Sequence, residues 1–160
     1  MRLTTFSDYG LRVLIYLAVH RDRLATIAEI AGVYGISSNH LMKVVHHLAQ
    51  HGHVETVRGK GGGMRLAREP AQINVGTVIR QSEDNVAFVE CFDADRSDCR
   101  IAPACRLKNM LGEALGAFLG TLDRYTLADL VDNRPKLAKL LPLADARPQR
   151  LAPGGRPQRA

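Results

Sequence analysis

The chain has 160 residues, enough for one domain or for a small domain with an arm. It holds no apolar run long enough to cross a membrane, and the stretch from Met1 to Asp8 lacks the apolar core and cleavage site of a secretory leader, so a cytoplasmic protein with no membrane partner is expected. The net charge of +6 is unevenly spread, with residues 1–80 at +5, residues 81–132 at −5 and residues 133–160 at +6. A basic front and an acidic middle suggest a division of labour, with nucleic acid as the obvious partner of the front.

From Thr5 to about His20 the pattern is helical and apolar nearly all round, which predicts a helix buried on several sides. Thr5 is its expected cap, with Asp8 three residues on. A second helix starts at Thr26, where Thr26 and Glu29 have capping-box spacing. Ile27, Ile30, Ala31 and Tyr34 form its apolar stripe, and Gly35 suits the left-handed turn that ends it. Ser37 or Ser38 caps a third helix with the stripe Leu41, Val44, Val45 and Leu48 and a stop at Gly52. Two short helices joined by a glycine-containing turn are the signature of a helix-turn-helix. Residues 54–58 and 64–66 then read as a hairpin around Gly59-Lys60-Gly61-Gly62-Gly63, the place of a wing.

A short helix is predicted from Val75 to Gln81, followed by an acidic, turn-rich segment from Glu83 to Asp98 that brings in the first two of three cysteines. Pro103 suits the first position of a long helix. Its stripe of Leu107, Met110, Leu111, Ala114, Leu115, Phe118, Leu119 and Leu122 is more than one small domain can cover. Gly112, Gly116 and Gly120 would let another helix approach closely. The helix is read as dimer-forming; an ordinary core helix is the alternative. Thr126 and Asp129 open a last short helix, and after about Leu143 the chain is rich in Pro, Arg, Ala and Gly with little to bury. The expected fold is mainly α: a winged helix-turn-helix with a small β-hairpin wing and a long C-terminal dimerisation helix. Residues 1–80 are expected to form the DNA-binding domain, 81–102 a loop region bearing the first two cysteines, 103–132 the dimerisation helix and terminal short helix, and 133–160 a basic Pro/Arg-rich tail, largely disordered.

In a helix-turn-helix the second helix enters the major groove and its N-terminal residues meet base edges. Those residues are Ser37, Ser38, Asn39, His40 and Lys43, on the side away from the apolar stripe. Asn can pair with adenine in bidentate fashion, and Lys can reach guanine or phosphate. Arg58, Lys60 and Arg65 of the hairpin should hold phosphates, which position a protein without reading sequence. The partner is thus double-stranded operator DNA. His46, His47, His51 and His53 show no metal-protease spacing and read as surface polarity.

Cys91, Cys99 and Cys105 fall within fifteen residues of one another. An odd number in a cytosolic chain argues against a disulfide scaffold. The spacing fits neither the tight pairs of structural zinc sites nor the common ferredoxin runs, so an iron–sulfur cluster, zinc and reactive thiols all remain open. Cys105 follows Pro103 at a helix start, where a thiolate is favoured. Three thiolates would leave one corner of a four-iron cluster for another ligand.

Several stretches, namely residues 3–12, 33–44, 57–66, 103–107 and 122–130, resemble the bacterial iron–sulfur winged-helix regulators of the IscR and NsrR family, within it the nitric-oxide-sensing repressors. The similarity runs from Met1 to about Leu141. The resemblance implies that Cys91, Cys99 and Cys105 bind an iron–sulfur cluster, a 4Fe-4S centre being favoured over 2Fe-2S, with Asp8 of the partner subunit as the fourth ligand. Arg12 would stand behind that ligand and lose its partner when the cluster is damaged. It implies a homodimer, not an enzyme, that represses nitric-oxide detoxification genes and leaves DNA when nitric oxide attacks the cluster. The Cys91–Cys99 spacer is long for this group, and the basic tail is not a family feature. On the residues alone, Asp8 pairs with Arg12 one turn on. The rival readings are a regulator of the IscR kind or one sensing oxidants, a zinc-stabilised DNA-binding module, and a redox enzyme.

Overall fold

The structure is a computed structural model that describes residues 3–83, 89, 92 and 99–143. Cys91, most of the acidic segment before Cys99, and residues 144–160 lie outside the described residues.

The first helix, α1 (Thr5–Val19), is the axis of the head, burying Val13, Leu14, Tyr16, Leu17, Ala18 and Val19. Its cap is Thr4 rather than Thr5: Thr4 is extended and its hydroxyl accepts from the Ser7 N–H at 3.2 Å. The difference follows from spacing, because the residue three beyond the cap must present a free N–H. Helix α2 (Ile27–Tyr34) opens with the Thr26–Glu29 capping box and closes at Gly35 with φ +64°. Helix α3 (Ser38–Gln50) buries Leu41, Val44, Val45 and Leu48 against α1.

Strands β1 (Val54–Val57) and β2 (Gly63–Leu66) pair antiparallel, with Val54 opposite Leu66 and Val57 opposite Gly63. Ala25 adds a bridge to Met64, so the hairpin is stitched to the segment before α2. After a 3-10 turn over Pro70–Gln72, helix α4 (Val75–Ser82) is capped by the Asn74 carboxamide.

Pro103 does not start the long helix. It sits in a 3-10 turn, Ala102–Ala104, and α5 (Arg106–Leu122) begins after Cys105, whose sulfur caps it by accepting from the Lys108 N–H at 3.4 Å. No residue of α5 is buried. Helix α6 (Leu127–Leu130) has the expected Thr126–Asp129 capping box, yet it belongs to the head: Leu127 is buried in the core and its N–H donates to the Ile73 carbonyl at 2.8 Å. Residues beyond 132 also continue as structure. Helix α7 (Arg134–Leu140) runs back to α1, where Arg134 Nε donates to the Val19 carbonyl at 2.7 Å and Leu141 is buried. The tail expected from residue 133 thus contributes a helix before residue 143. Leu137 and Leu141, four apart, supply the apolar contact that sustains it.

Candidate nucleic-acid interface and metal centre

Helix α3 presents Ser38, Asn39, His40 and Lys43 to solvent, with Ser37 exposed at its cap position. Ser37 makes no side-chain cap bond, so its hydroxyl is not committed to closing the helix. The four buried apolar residues hold α3 by its opposite side, which leaves this front free to enter a groove. Met42 and His46 are also exposed on α3. Sequence reasoning passed over Met42, although its position outside the apolar stripe marks it.

The wing turn is closed by the Gly62 N–H donating to the Gly59 carbonyl at 2.9 Å. Gly59 and Gly61 have φ of +102° and +79°, and a Cβ on Gly62 would collide with the Val57 carbonyl. Glycine is thus required at this tip by both backbone conformation and contact. Arg58 and Lys60 are exposed there. Arg65 stands further down, on β2 opposite Glu55, and ion-pairs with it at 3.1 Å; the guanidinium holds the Glu55 carboxyl below its usual range. Arg65 therefore brings its own counter-charge, and the tip cations are Arg58 and Lys60.

Asp8 lies in the first turn of α1, and both its oxygens engage Arg12 of the same protomer: Nε donates at 3.1 Å and the second nitrogen approaches at 2.8 Å. The Arg12 guanidinium lies 5.9 Å from the Tyr9 ring centre and 5.8 Å from that of Tyr34. The Tyr34 hydroxyl donates to the Arg12 carbonyl at 3.2 Å, and burial pushes its pKa up to about 12. Asp8 is half-exposed, so the pair is within reach of a second chain.

Above the same N-terminus, Glu83 Oε1 accepts from the Thr4 N–H at 2.8 Å, the Thr4 hydroxyl at 3.0 Å and the buried Ser7 hydroxyl at 2.5 Å. One carboxylate thereby pins the end of α4 to the start of α1, and the positive end of the helix dipole favours it. The contact spans seventy-odd residues of sequence, which is why no local pattern announced it. A second such network joins Tyr16, Arg23 and Glu29: the Tyr16 hydroxyl and the Arg23 guanidinium both donate to Glu29, whose side chain is 11% exposed. Burial would raise the Glu29 carboxyl, but the hydrogen bonds from Arg23 and Tyr16 outweigh it and hold it low. Glu29 thus serves the capping box and braces α1 against α2 at once.

His53 corrects the reading of the histidines as surface polarity. It is buried, with Nε2 2.7 Å from Gln81 Oε1, and burial holds its pKa low. His51 Nδ1 lies 3.0 Å from the His47 carbonyl, and Phe6 meets the His47 ring edge-on at 5.2 Å between centres.

Of the cysteines, Cys99 is exposed, and Cys105 is half-buried at the N-terminus of α5. The Ala102 N–H donates to the Cys99 carbonyl at 3.0 Å, so the two thiols flank a single compact turn. Among the described residues no three His, Cys, Asp or Glu side chains gather as a metal site. Along α5, Leu107 and Met110 are 60% and 64% exposed.

This order of helix-turn-helix, hairpin and long exposed helix has relatives. Residues 3–133 match the model of a family named Rrf2, described as iron-dependent transcriptional regulators. The chain belongs to the Rrf2 family. It is 53% identical over 146 residues to the HTH-type transcriptional regulator NsrR of Bacillus subtilis (strain 168), covering 91% of this chain and 100% of that protein. It is 49% identical over 142 residues to the regulator of the same name from Shouchella clausii, covering 88% and 95% respectively. Among solved structures it is similar to CymR, the global cysteine regulator of B. subtilis, with a TM-score of 0.67, 28% identity and coverage of 83% of this chain and 98% of that one. It is equally similar to IscR of T. potens, with a TM-score of 0.67, 28% identity and coverage of 86% and 90%. As an Rrf2 protein the chain is a DNA-binding transcription regulator and not an enzyme, and its fold is the expected winged helix-turn-helix. Among the described residues no helix is long and apolar enough to cross a membrane.

Proposed function

We propose that this Rrf2 regulator is a homodimeric repressor that senses nitric oxide through an iron–sulfur cluster held by Cys91, Cys99, Cys105 and the partner subunit's Asp8. One observation carries the reading. Helix α5 bears a thiol at its N-terminus, exposes Leu107 and Met110 close by and buries none of its residues, so ligation and dimerisation would occupy the same helix. The donor set suits such a cluster. Cys105 receives the Lys108 backbone N–H at the start of α5, which holds its sulfur at the helix end, and three cysteine ligands leave one corner of a 4Fe-4S centre for a carboxylate. When bound, the cluster supplies the iron with which nitric oxide reacts.

The chain's own residues then explain the switch. Asp8 has two competing partners, Arg12 in its own protomer and the cysteine site of its mate. Turned toward the mate, it ties α1 of one head to α5 of the other and fixes the separation of two α3 helices. Paired with Arg12, it leaves the heads independent. A dimer reads half-sites about 34–36 Å apart, so that separation decides affinity. A full reversal of occupancy needs about 5.5 kcal/mol of differential binding, within reach of one ligand bond together with an ordered loop. Residues 1–80 supply the groove-reading surface, with Ser37, Ser38, Asn39, His40 and Lys43 on bases and Arg58 and Lys60 on phosphates, while Arg65 would reach a phosphate only by leaving Glu55. Residues 81–102 supply the sensor segment and α5 the dimer contact.

The test is a mobility-shift titration with anaerobically purified protein, whose iron and sulfide are first measured against zinc. Iron-loaded dimer is expected to bind operator tightly and to release it with stoichiometric nitric oxide. Retained tight binding after nitric oxide would overturn the sensing reading; response to oxidant alone would point to the redox-sensing alternative.

A further inference from the structure

Within residues 3–83, two large hydrophobic side chains are exposed: Met42 at 54% and Val57 at 38%. The other large hydrophobics that the structure leaves bare lie between Ile101 and Leu143. Met42 is on α3 and Val57 ends β1 at the wing, so the head leaves apolar surface on the two elements that face DNA. Met42 takes no part in the Leu41, Val44, Val45 and Leu48 stripe. It stands one turn beyond Ser38 and three residues beyond Asn39, and so shares their front.

A thioether has no donor and is a weak acceptor. Of the groups that base pairs display in the major groove, the thymine C5-methyl is the apolar one. Asn39, beside Met42, carries the amide that matches adenine N6 and N7. We infer that Met42 reads a thymine methyl in each operator half-site, so that the α3 front selects an A·T step by an apolar contact as well as by hydrogen bonds. This rests on α3 being the base-reading helix of the proposed repressor. The unbranched thioether suits the task, since it adapts its shape to an irregular apolar surface.

The experiment uses the full-length, cluster-loaded protein. A consensus operator is first selected from duplexes with a randomised core. Each thymine of a half-site is then replaced by deoxyuridine, which removes the methyl and nothing else. Burying one methyl contributes on the order of 0.8 kcal/mol, or about four-fold in affinity, and the symmetric site doubles the exponent to about fifteen-fold when both half-sites are changed. Wild type is expected to lose that much at one thymine position. Met42→Gln should bind thymine and uracil operators equally, and Met42→Leu should keep most of the discrimination. Equal binding of wild type to every uracil operator overturns the inference and leaves α3 as a base reader. Unchanged discrimination in Met42→Gln overturns it also. A selection that yields no consensus overturns the operator reading and this inference together.

Discussion

Replacing both Leu107 and Met110 by Ala should dissociate the dimer without harming the protomer. In the single chain these side chains are 60% and 64% exposed, so their truncation leaves no cavity, and Ala is a strong helix former at both positions. Full burial of a Leu or Met side chain is worth about 1.5–3 kcal/mol. Covering the exposed fraction of the two would contribute about 2–4 kcal/mol per protomer. An isologous interface counts each change twice, giving about 4–7 kcal/mol per dimer, or a rise in Kd of about three to five orders of magnitude. Sedimentation velocity from 0.1 to 100 μM measures it, and thermal unfolding of the variant checks the fold. Operator affinity should fall in step with dissociation. A variant that stays dimeric at the lowest concentration would refute the assignment of this face to the second copy.

Three further outcomes are expected. Gly62→Ala forces a Cβ against the Val57 carbonyl and to 2.9 Å from the Gly59 carbonyl, so the wing turn must open at about 1–3 kcal/mol. Operator affinity should fall, and the global unfolding midpoint should fall by no more than that cost implies, a few degrees per kcal/mol. Glu83→Ala removes the acceptor for Thr4 and Ser7 at the start of α1 and should lower stability by about 1–2 kcal/mol in chemical denaturation; an unchanged midpoint would show that water replaces the carboxylate. Burial depresses the pKa of His53 below its ordinary 6.5, so the unfolded chain takes up a proton that the folded chain refuses. This contribution to stability is complete above about pH 6.5 and is lost as the pH falls below it, at up to about 1.4 kcal/mol per pH unit. Comparing His53→Gln with wild type from pH 7.5 to 5.5 should show the steeper loss in wild type alone, and parallel curves would refute it.

The helix-turn-helix was legible because its signals are local. The Thr26–Glu29 box, the left-handed Gly35 and the stripe of Leu41, Val44, Val45 and Leu48 each lie within two turns. The same locality explains the errors. Thr4 and Thr5 are adjacent candidates for one cap, and only the free Ser7 N–H decides between them. Pro103 opens a helix, but a 3-10 turn, because the Cys105 sulfur is placed to cap α5. His53 reads as polar in a string of histidines, and only its partner Gln81, 28 residues on, reveals a buried hydrogen bond. Glu83 joins elements that no sequence window spans, and the Tyr16–Arg23–Glu29 network, though within 13 residues, follows no helical or strand period.

The ends of the stretch between α4 and α6 also have a mechanical meaning. Glu83 is fastened to the first turn of α1, while Asp123, at the far end of α5, pairs with Arg80 at 2.5 Å, and Leu127 fills the floor of the core. Both attachment points, Glu83 and Asp123, thus belong to one body. A chain cut after residue 82 would therefore lose part of its own interior and should not fold as a free-standing DNA reader.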